Sequence, residues 1–328
     1  MKKLHLQTPA FRYLEQSYGQ WLDILGYAPS TVRSFPTYVR EFLHYLEKNG
    51  YTQIQQIDIP LIRTYYNQLS QRSNQRRGGG LSNNYLNAHL NALDRLLEYL
   101  RKQARIEIPP TGIPKETPNP EEVIPLTLAQ IKQLYAAADT CSEARETCYP
   151  RSDLPAIHLR DKAILAVFYN CGLRRTEGES LNLSDIHYDT RLLEVKKGKG
   201  GKPRFVPMSL STVAHLQNYH YEGRPVLMKK SNEDAFFLNY RGKRASGNLF
   251  NKRLKELQKY SDGAGLRQMN LHLHILRHSI ATHLLYQGMG LENVAQFLGH
   301  YSLESTQVYT HIMEKHYASD RNNVQADG

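Results

Sequence analysis

A mainly α fold with a small antiparallel β-sheet is what this sequence predicts, split between a helical N-terminal domain and a mixed α+β C-terminal domain. Three observations carry the prediction. Apolar residues recur at helical spacing through about the first hundred positions. Pro109, Pro110, Pro114, Pro118, Pro120 and Pro125 crowd one stretch. The run "LLEVKKGKGGKPRFVPMS" alternates on either side of a glycine-rich turn.

The N-terminal domain, residues 1–105, is read as four amphipathic helices. Phe11, Leu14, Tyr18, Leu22 and Leu25 form the first stripe; Val39, Phe42, Leu43 and Leu46 form the second. Ile62, Tyr65 and Leu69 follow Asp58, a capping residue, and Ser82 precedes Leu86, Leu90, Leu93, Leu97 and Leu100. Four such helices make a small bundle. Before the last of them, "SNQRRGGGLSNN" places Arg76 and Arg77 in a flexible basic loop, either solvated or touching a phosphate backbone. Residues 106–125 form an extended linker, because proline fixes φ and removes the N–H that a helix or inner strand needs.

The C-terminal domain, residues 126–328, begins with helical stripes at Ile131, Leu134 and Tyr135 and again in "RDKAILAVFYNCGL". The hairpin follows, with Leu193 and Val195 alternating on one strand, Phe205 on the other, and Gly198, Gly200 and Gly201 in the turn. "AFFLNY" reads as a further short strand, and helices return after Ser246.

Composition narrows the function. The 42 Lys and Arg residues exceed the 31 Asp and Glu, and a formal charge of +11 suits a polyanionic partner, nucleic acid before anionic membrane. The sequence has no apolar run of membrane-spanning length, and no hydrophobic segment follows the basic start "MKK", so the expectation is a cytoplasmic protein without membrane contact. Cys141, Cys148 and Cys171 form neither a C-x-x-C pair nor an even set and are read as reduced thiols.

The run "HILRH" places His274, Arg277 and His278 on one helical face. Zinc is a poor fit. Ile275 stands where a metalloprotease helix carries glutamate, and a guanidinium offers no lone pair and repels a dication. A buried structural cluster and a cradle for an anion, above all phosphate, remain open. Three other stretches carry basic or nucleophilic residues: "CGLRRTEGESL", "KKGKGGKPR" and "FLGHYSLESTQVYTHI".

The order of these motifs resembles the catalytic domain of the tyrosine recombinases, the phage-integrase and Xer family of site-specific DNA recombinases. "GLRRTE" matches the family's first arginine box at Arg174, "GKGGKPR" its hairpin lysine at Lys199, and "HILRH" its second arginine box at Arg277. "LGH" places a histidine at His300, and "TQVYTH" places the nucleophile at Tyr309. The resemblance spans about residues 126–315; the N-terminal helices fit the family's core-binding domain by size and position only.

That resemblance implies catalytic roles for Arg174, Lys199, His274, Arg277, His300 and Tyr309, with no metal and no cofactor. Glu177 and His278 are expected to support these groups by hydrogen bonds, and Lys202 and Arg204 to contact DNA, while Arg76 and Arg77 are DNA-contact candidates on the strength of their basic loop alone. His283 and His311 are read as packing residues. The implied partners are double-stranded DNA recombination sites and further recombinase copies, in a homo- or hetero-tetramer on two duplexes, with an accessory DNA-bending protein or a partner recombinase. The implied tasks are resolution of chromosome or plasmid dimers, or integration and excision of a mobile element. A catalytically silent DNA-binding protein of the same fold and a type IB topoisomerase-like strand relaxase are the rival readings, with a metallohydrolase behind them. Three departures from the family pattern stand out: Gly178 in place of an apolar residue, Thr176 in place of serine, and a long segment at 139–157 that carries no functional reading.

Overall fold

The four N-terminal stripes become four helices, and each start is written into the sequence. Helices α1 (Pro9–Ile24), α2 (Pro29–Lys48) and α3 (Ile59–Gln71) carry proline in the first turn, where its missing N–H costs nothing. Asp58 caps α3 by accepting from the Leu61 N–H at 2.8 Å, and Ser82 Oγ accepts from the Tyr85 N–H at 3.3 Å at the start of α4 (Asn83–Gln103). The computed structural model describes residues 4–74, 78–103, 106–117, 124–140, 151–196, 203–229 and 233–299, and the chain forms two compact units, Met1–Glu121 and Glu122–Gly328.

In the first unit Phe11, Tyr18, Leu22, Phe42, Leu43 and Leu46 are wholly buried. Leu25, read as the end of the first stripe, lies beyond α1 and is 51% exposed. Gly19 lets α1 approach α2 closely, since a Cβ there would meet Pro36 Cγ at 3.3 Å. Tyr18 Oη donates to the Ala92 carbonyl at 3.0 Å and ties α1 to α4. Residues 106–117, the first part of the proline-rich stretch, have neither helix nor strand but dock on α4. Thr111 donates through both N and Oγ1 to Asp94 Oδ1, at 3.1 and 2.8 Å, and Asn87 brackets the Glu116 peptide. Side chains of α4 thus supply the partners that no neighbouring strand provides.

The second unit begins with α5 (Leu128–Thr140) and α6 (Leu154–Leu165), which runs into a wider π turn at Ala166–Asn170. After α7 (Arg175–Ser180) come β1 (Ile186–His187), β2 (Leu192–Val195) and β3 (Arg204–Pro207), an antiparallel sheet in that order. The expected alternation holds: Leu193, Val195 and Val206 face the core, while Phe205, paired with Glu194, is 57% exposed. Helices α8 (Leu210–Asn218), α9 (Arg224–Met228), α10 (Gly247–Tyr260), α11 (Ala264–Gln268), α12 (Leu273–Tyr286) and α13 (Leu291–Leu298) complete the described fold. "AFFLNY" differs from its expectation. Ala235 to Leu238 are buried, but they make only the isolated bridges Asn182↔Ala235 and Leu238↔Arg244 rather than a strand. No described helix is long and apolar enough to cross a membrane.

Helices α6 and α10 are locked together by a buried ion pair. Arg253 Nε and Nη2 donate to Asp161 Oδ2 at 2.9 and 2.5 Å, and the two side chains are 4% and 1% exposed. Arg160, also wholly buried, donates to the Leu238 carbonyl at 3.0 Å with its Nε 3.9 Å from Asp161 Oδ1. Removing the carboxylate strands two buried cations, so Asp161→Ala should cost about 3–5 kcal/mol. Urea unfolding followed by far-UV circular dichroism measures this, because the single tryptophan, Trp21, lies in the other unit. An unchanged unfolding midpoint would show that the pair is dispensable.

Candidate active site

Arg174 is placed by the turn that precedes it. Gly172 adopts φ +60°, a conformation glycine reaches without steric cost, and a Cβ there would lie 2.8 Å from Leu298 Cδ2. The turn therefore passes directly against the end of α13. Arg174 is the residue before α7, and its N–H and Nη1 both donate to the Glu177 carboxylate at 2.8 Å. Its Nη2 reaches the Gly299 carbonyl at 2.9 Å.

Arg277 arrives from the first turns of α12. It is 2% exposed, donating through Nη2 to the Leu298 carbonyl at 2.6 Å and through Nη1 to the Gly172 carbonyl. Arg204, at the start of β3, donates through Nη1 and Nη2 to the two oxygens of Glu177 at 3.0 and 2.9 Å, and through Nε to the Phe297 carbonyl at 3.3 Å. Three arginines from three elements thus bind three successive carbonyls, those of Phe297, Leu298 and Gly299. Those carbonyls end α13, where a helix carries partial negative charge, and Gly299 at φ +66° forms its left-handed cap.

Among the described residues, Glu177 is the carboxylate that Arg174 and Arg204 share. Its burial would raise its pKa, but the hydrogen bonds and charge of Arg204, followed by the backbone and side-chain hydrogen bonds of Arg174, outweigh it and hold the group at about 2. Among the described residues, Arg174, Arg204 and Arg277 outnumber Glu177, an excess of positive charge suited to a phosphate. His274 lies three residues before Arg277 on α12. Partial burial of its ring, then Arg277, His272 and Arg174, all lower its pKa from the ordinary imidazole value, so the ring is neutral near pH 7. His278 is buried, and the neighbouring Ser279 Oγ accepts from the Leu126 N–H at 2.8 Å, pinning the start of the unit to α12. His283 pairs with Tyr169 Oη at 2.8 Å as a packing residue would.

The structure therefore brings Arg174, Glu177, Arg204 and Arg277 into one network with His274 beside it. Lys199, Lys202, His300, Tyr309 and His311 lie outside the described residues, as do Arg76 and Arg77 of the N-terminal unit. Arg204, expected on the DNA backbone, has its side chain 12% exposed and turned toward Glu177. Gly178 has a clear reason to be glycine: a Cβ there would sit 2.4 Å from the Phe168 ring, which fills the space an apolar side chain would take. The α13 carbonyls escaped the sequence reading. The visible signal was a glycine beside each arginine-binding turn, Gly172 and Gly299. Among the described residues no group of three His, Cys, Asp or Glu side chains converges as a metal site.

The phage integrase family model matches residues 125–316. The tyrosine recombinase XerD of Proteus mirabilis is 37% identical over 225 residues, which cover 68% of this chain and 66% of that protein. The XerD of Vibrio cholerae is 31% identical over 307 residues, 89% of this chain and 90% of that one. In fold, the chain resembles the XerH site-specific recombinase bound to its palindromic difH substrate in a post-cleavage complex, with a TM-score of 0.67 at 21% identity over 95% of this chain and 84% of that one. A family model matched over more than half the chain, and a relative more than 30% identical along nearly all of it, mean that this chain belongs to the phage integrase family of tyrosine-type site-specific recombinases.

Proposed function

We propose that this recombinase cuts and rejoins double-stranded DNA at specific sites through a 3′-phosphotyrosyl intermediate on Tyr309. The phenolic oxygen attacks the scissile phosphorus, the bond to the 5′-oxygen breaks, and the phosphodiester energy is kept in the protein–DNA bond. The 5′-hydroxyl of another strand then reverses the step on a new partner. His274, neutral at working pH, accepts the tyrosine proton, and Lys199 donates one to the departing 5′-oxygen. Arg174 and Arg277 offset the charge on the non-bridging oxygens, with His300 bonding one of them.

The observation that supports this reading is the placement of Arg174 and Arg277 on adjacent carbonyls, immediately before His300 in the chain. Two guanidiniums fixed by the backbone present positive charge without reorganising when the phosphate arrives. The family match favours recombination over the silent-binder and strand-relaxase readings. We place the reaction in the cytoplasm, on two duplexes held by a homo- or hetero-tetramer. The helical unit Met1–Glu121 serves as the core-binding domain in this reading, Glu122–Gly328 carries the chemistry, and dimer resolution or movement of a mobile element is the biological task.

Tyr309→Phe should leave half-site binding intact and abolish covalent capture of a nicked suicide substrate, visible as loss of the retarded gel band. An adduct of normal yield would place the nucleophile on another tyrosine. For His274, kcat/KM at subsaturating DNA reports the free enzyme. Because the folded pKa is lowered, the base stays neutral as pH falls through 6.5, and the rate should decline only below that value. An acid limb at or above 6.5 would assign the base elsewhere. Lys199→Ala should slow cleavage of ordinary DNA roughly 10²- to 10⁴-fold. It should cleave a strand with sulfur at the bridging 5′ position at nearly the wild-type rate, since a thiol of pKa about 8.5 leaves without a proton donor. If sulfur rescues Lys202→Ala alone, the acid is the other lysine of the hairpin.

A further inference from the structure

We propose that Arg204 is a positioning residue for strand cleavage, one that shares Glu177 with Arg174 and so sets both the direction and the available charge of the Arg174 guanidinium. The inference rests on the recombination reading above and deepens it. Arg204 belongs to the hairpin motif "GKGGKPR" and was expected on DNA, but three of its five N–H groups are spent inside the protein: two on Glu177 and one on the Phe297 carbonyl. Its stem is packed in place as well. A Cβ on Gly299 would come within 2.8 Å of Arg204 Cδ, so the α13 cap and this side chain fit without spare room.

The charge balance gives the role its content. Glu177 carries one negative charge and is claimed at both oxygens by Arg204, while Oε1 also accepts from Arg174 Nη1 and Oε2 from its backbone N–H. With Arg204 present, Arg174 neutralises only part of that carboxylate and keeps surplus positive charge for a phosphate. Without Arg204, the buried carboxylate has one guanidinium left as a partner, and it would draw Arg174 off the Gly299 carbonyl and quench it. Arg204 also joins β3 to the α13 end through the Phe297 carbonyl, so β3 and the arginine cluster share one support.

The test compares single-turnover cleavage of a nicked substrate carrying either an ordinary phosphodiester or a neutral methylphosphonate at the scissile position. A methylphosphonate lacks one charged non-bridging oxygen, so it depends less on arginine charge. Arg204→Met should slow phosphodiester cleavage roughly 10²-fold, the scale of a misplaced catalytic group, with half-site affinity unchanged. On the methylphosphonate its loss should be smaller by a factor of about ten or more, as it should be for Arg174→Ala. A merely structural role would slow both substrates alike; that result, no slowing at all, or a loss confined to DNA affinity would overturn the proposal. Should Arg204→Met melt below the assay temperature, Arg204→Lys carries the test. It keeps the charge but cannot span both carboxylate oxygens, so it should show a milder loss with the same substrate dependence, and equal slowing on both substrates would sink the idea. If Arg174→Ala itself shows no difference between the substrates, the assignment of the phosphate site fails rather than the role of Arg204.

Discussion

Three guanidiniums gripping three consecutive peptide carbonyls, with one carboxylate wedged between two of them, is the arrangement on which the C-terminal unit of this recombinase depends. Each arginine comes from a separate element: the turn before α7, the start of β3, and the second turn of α12. Like charges at such proximity repel, and they are held only because the α13 terminus offers negative partial charge and Glu177 a full one. The same contacts that make the cluster stable fix its geometry, so folding and preorganisation are one event.

The supporting architecture follows from that need. Gly172 and Gly299 both adopt left-handed backbone where their neighbours press close, and any side chain at either would push α13 away from the arginines. The π turn at Ala166–Asn170 delivers the chain into the Gly172 turn, and Phe168 fills the space over Gly178 that a larger residue on α7 would claim. Farther out, the Arg253–Asp161 pair joins α6 to α10 and braces the core beneath.

Most of the fold was legible because its signals are local. The helical stripes from Phe11 to Leu100, the caps at Asp58 and Ser82, and the alternation of Leu193 and Val195 each depend on neighbours within a few residues. The grouping of Arg174, Glu177 and Arg277 became visible through motif order, since each motif kept recognisable residues. What the sequence concealed is long-range. Nothing local distinguishes an arginine aimed at DNA from one aimed inward, and Arg204 turns to Glu177, 27 positions earlier in the chain. Backbone carbonyls such as those of Phe297 and Leu298 have no residue-type signature at all. Residues 106–117 have neither helix nor strand, and docking of that segment on Asp94 and Asn87 required knowing where α4 presents its side chains.

The depressed pKa of Glu177 has a consequence for how proton concentration reaches this protein. A carboxyl at about 2 in the folded state, against an ordinary 4.5, contributes about 3 kcal/mol to folding by linkage, fully present above pH 4.5 and lost as pH falls toward 2. Both Glu177 and His274 therefore hold their neutral-pH charge states further into the acid range than an ordinary carboxyl or imidazole would. The Glu177 carboxylate and the arginines that pair with it keep their charges at a pH where an ordinary carboxyl already takes up a proton. Only far more acidic conditions, which protonate Glu177 itself, set the three cations against one another.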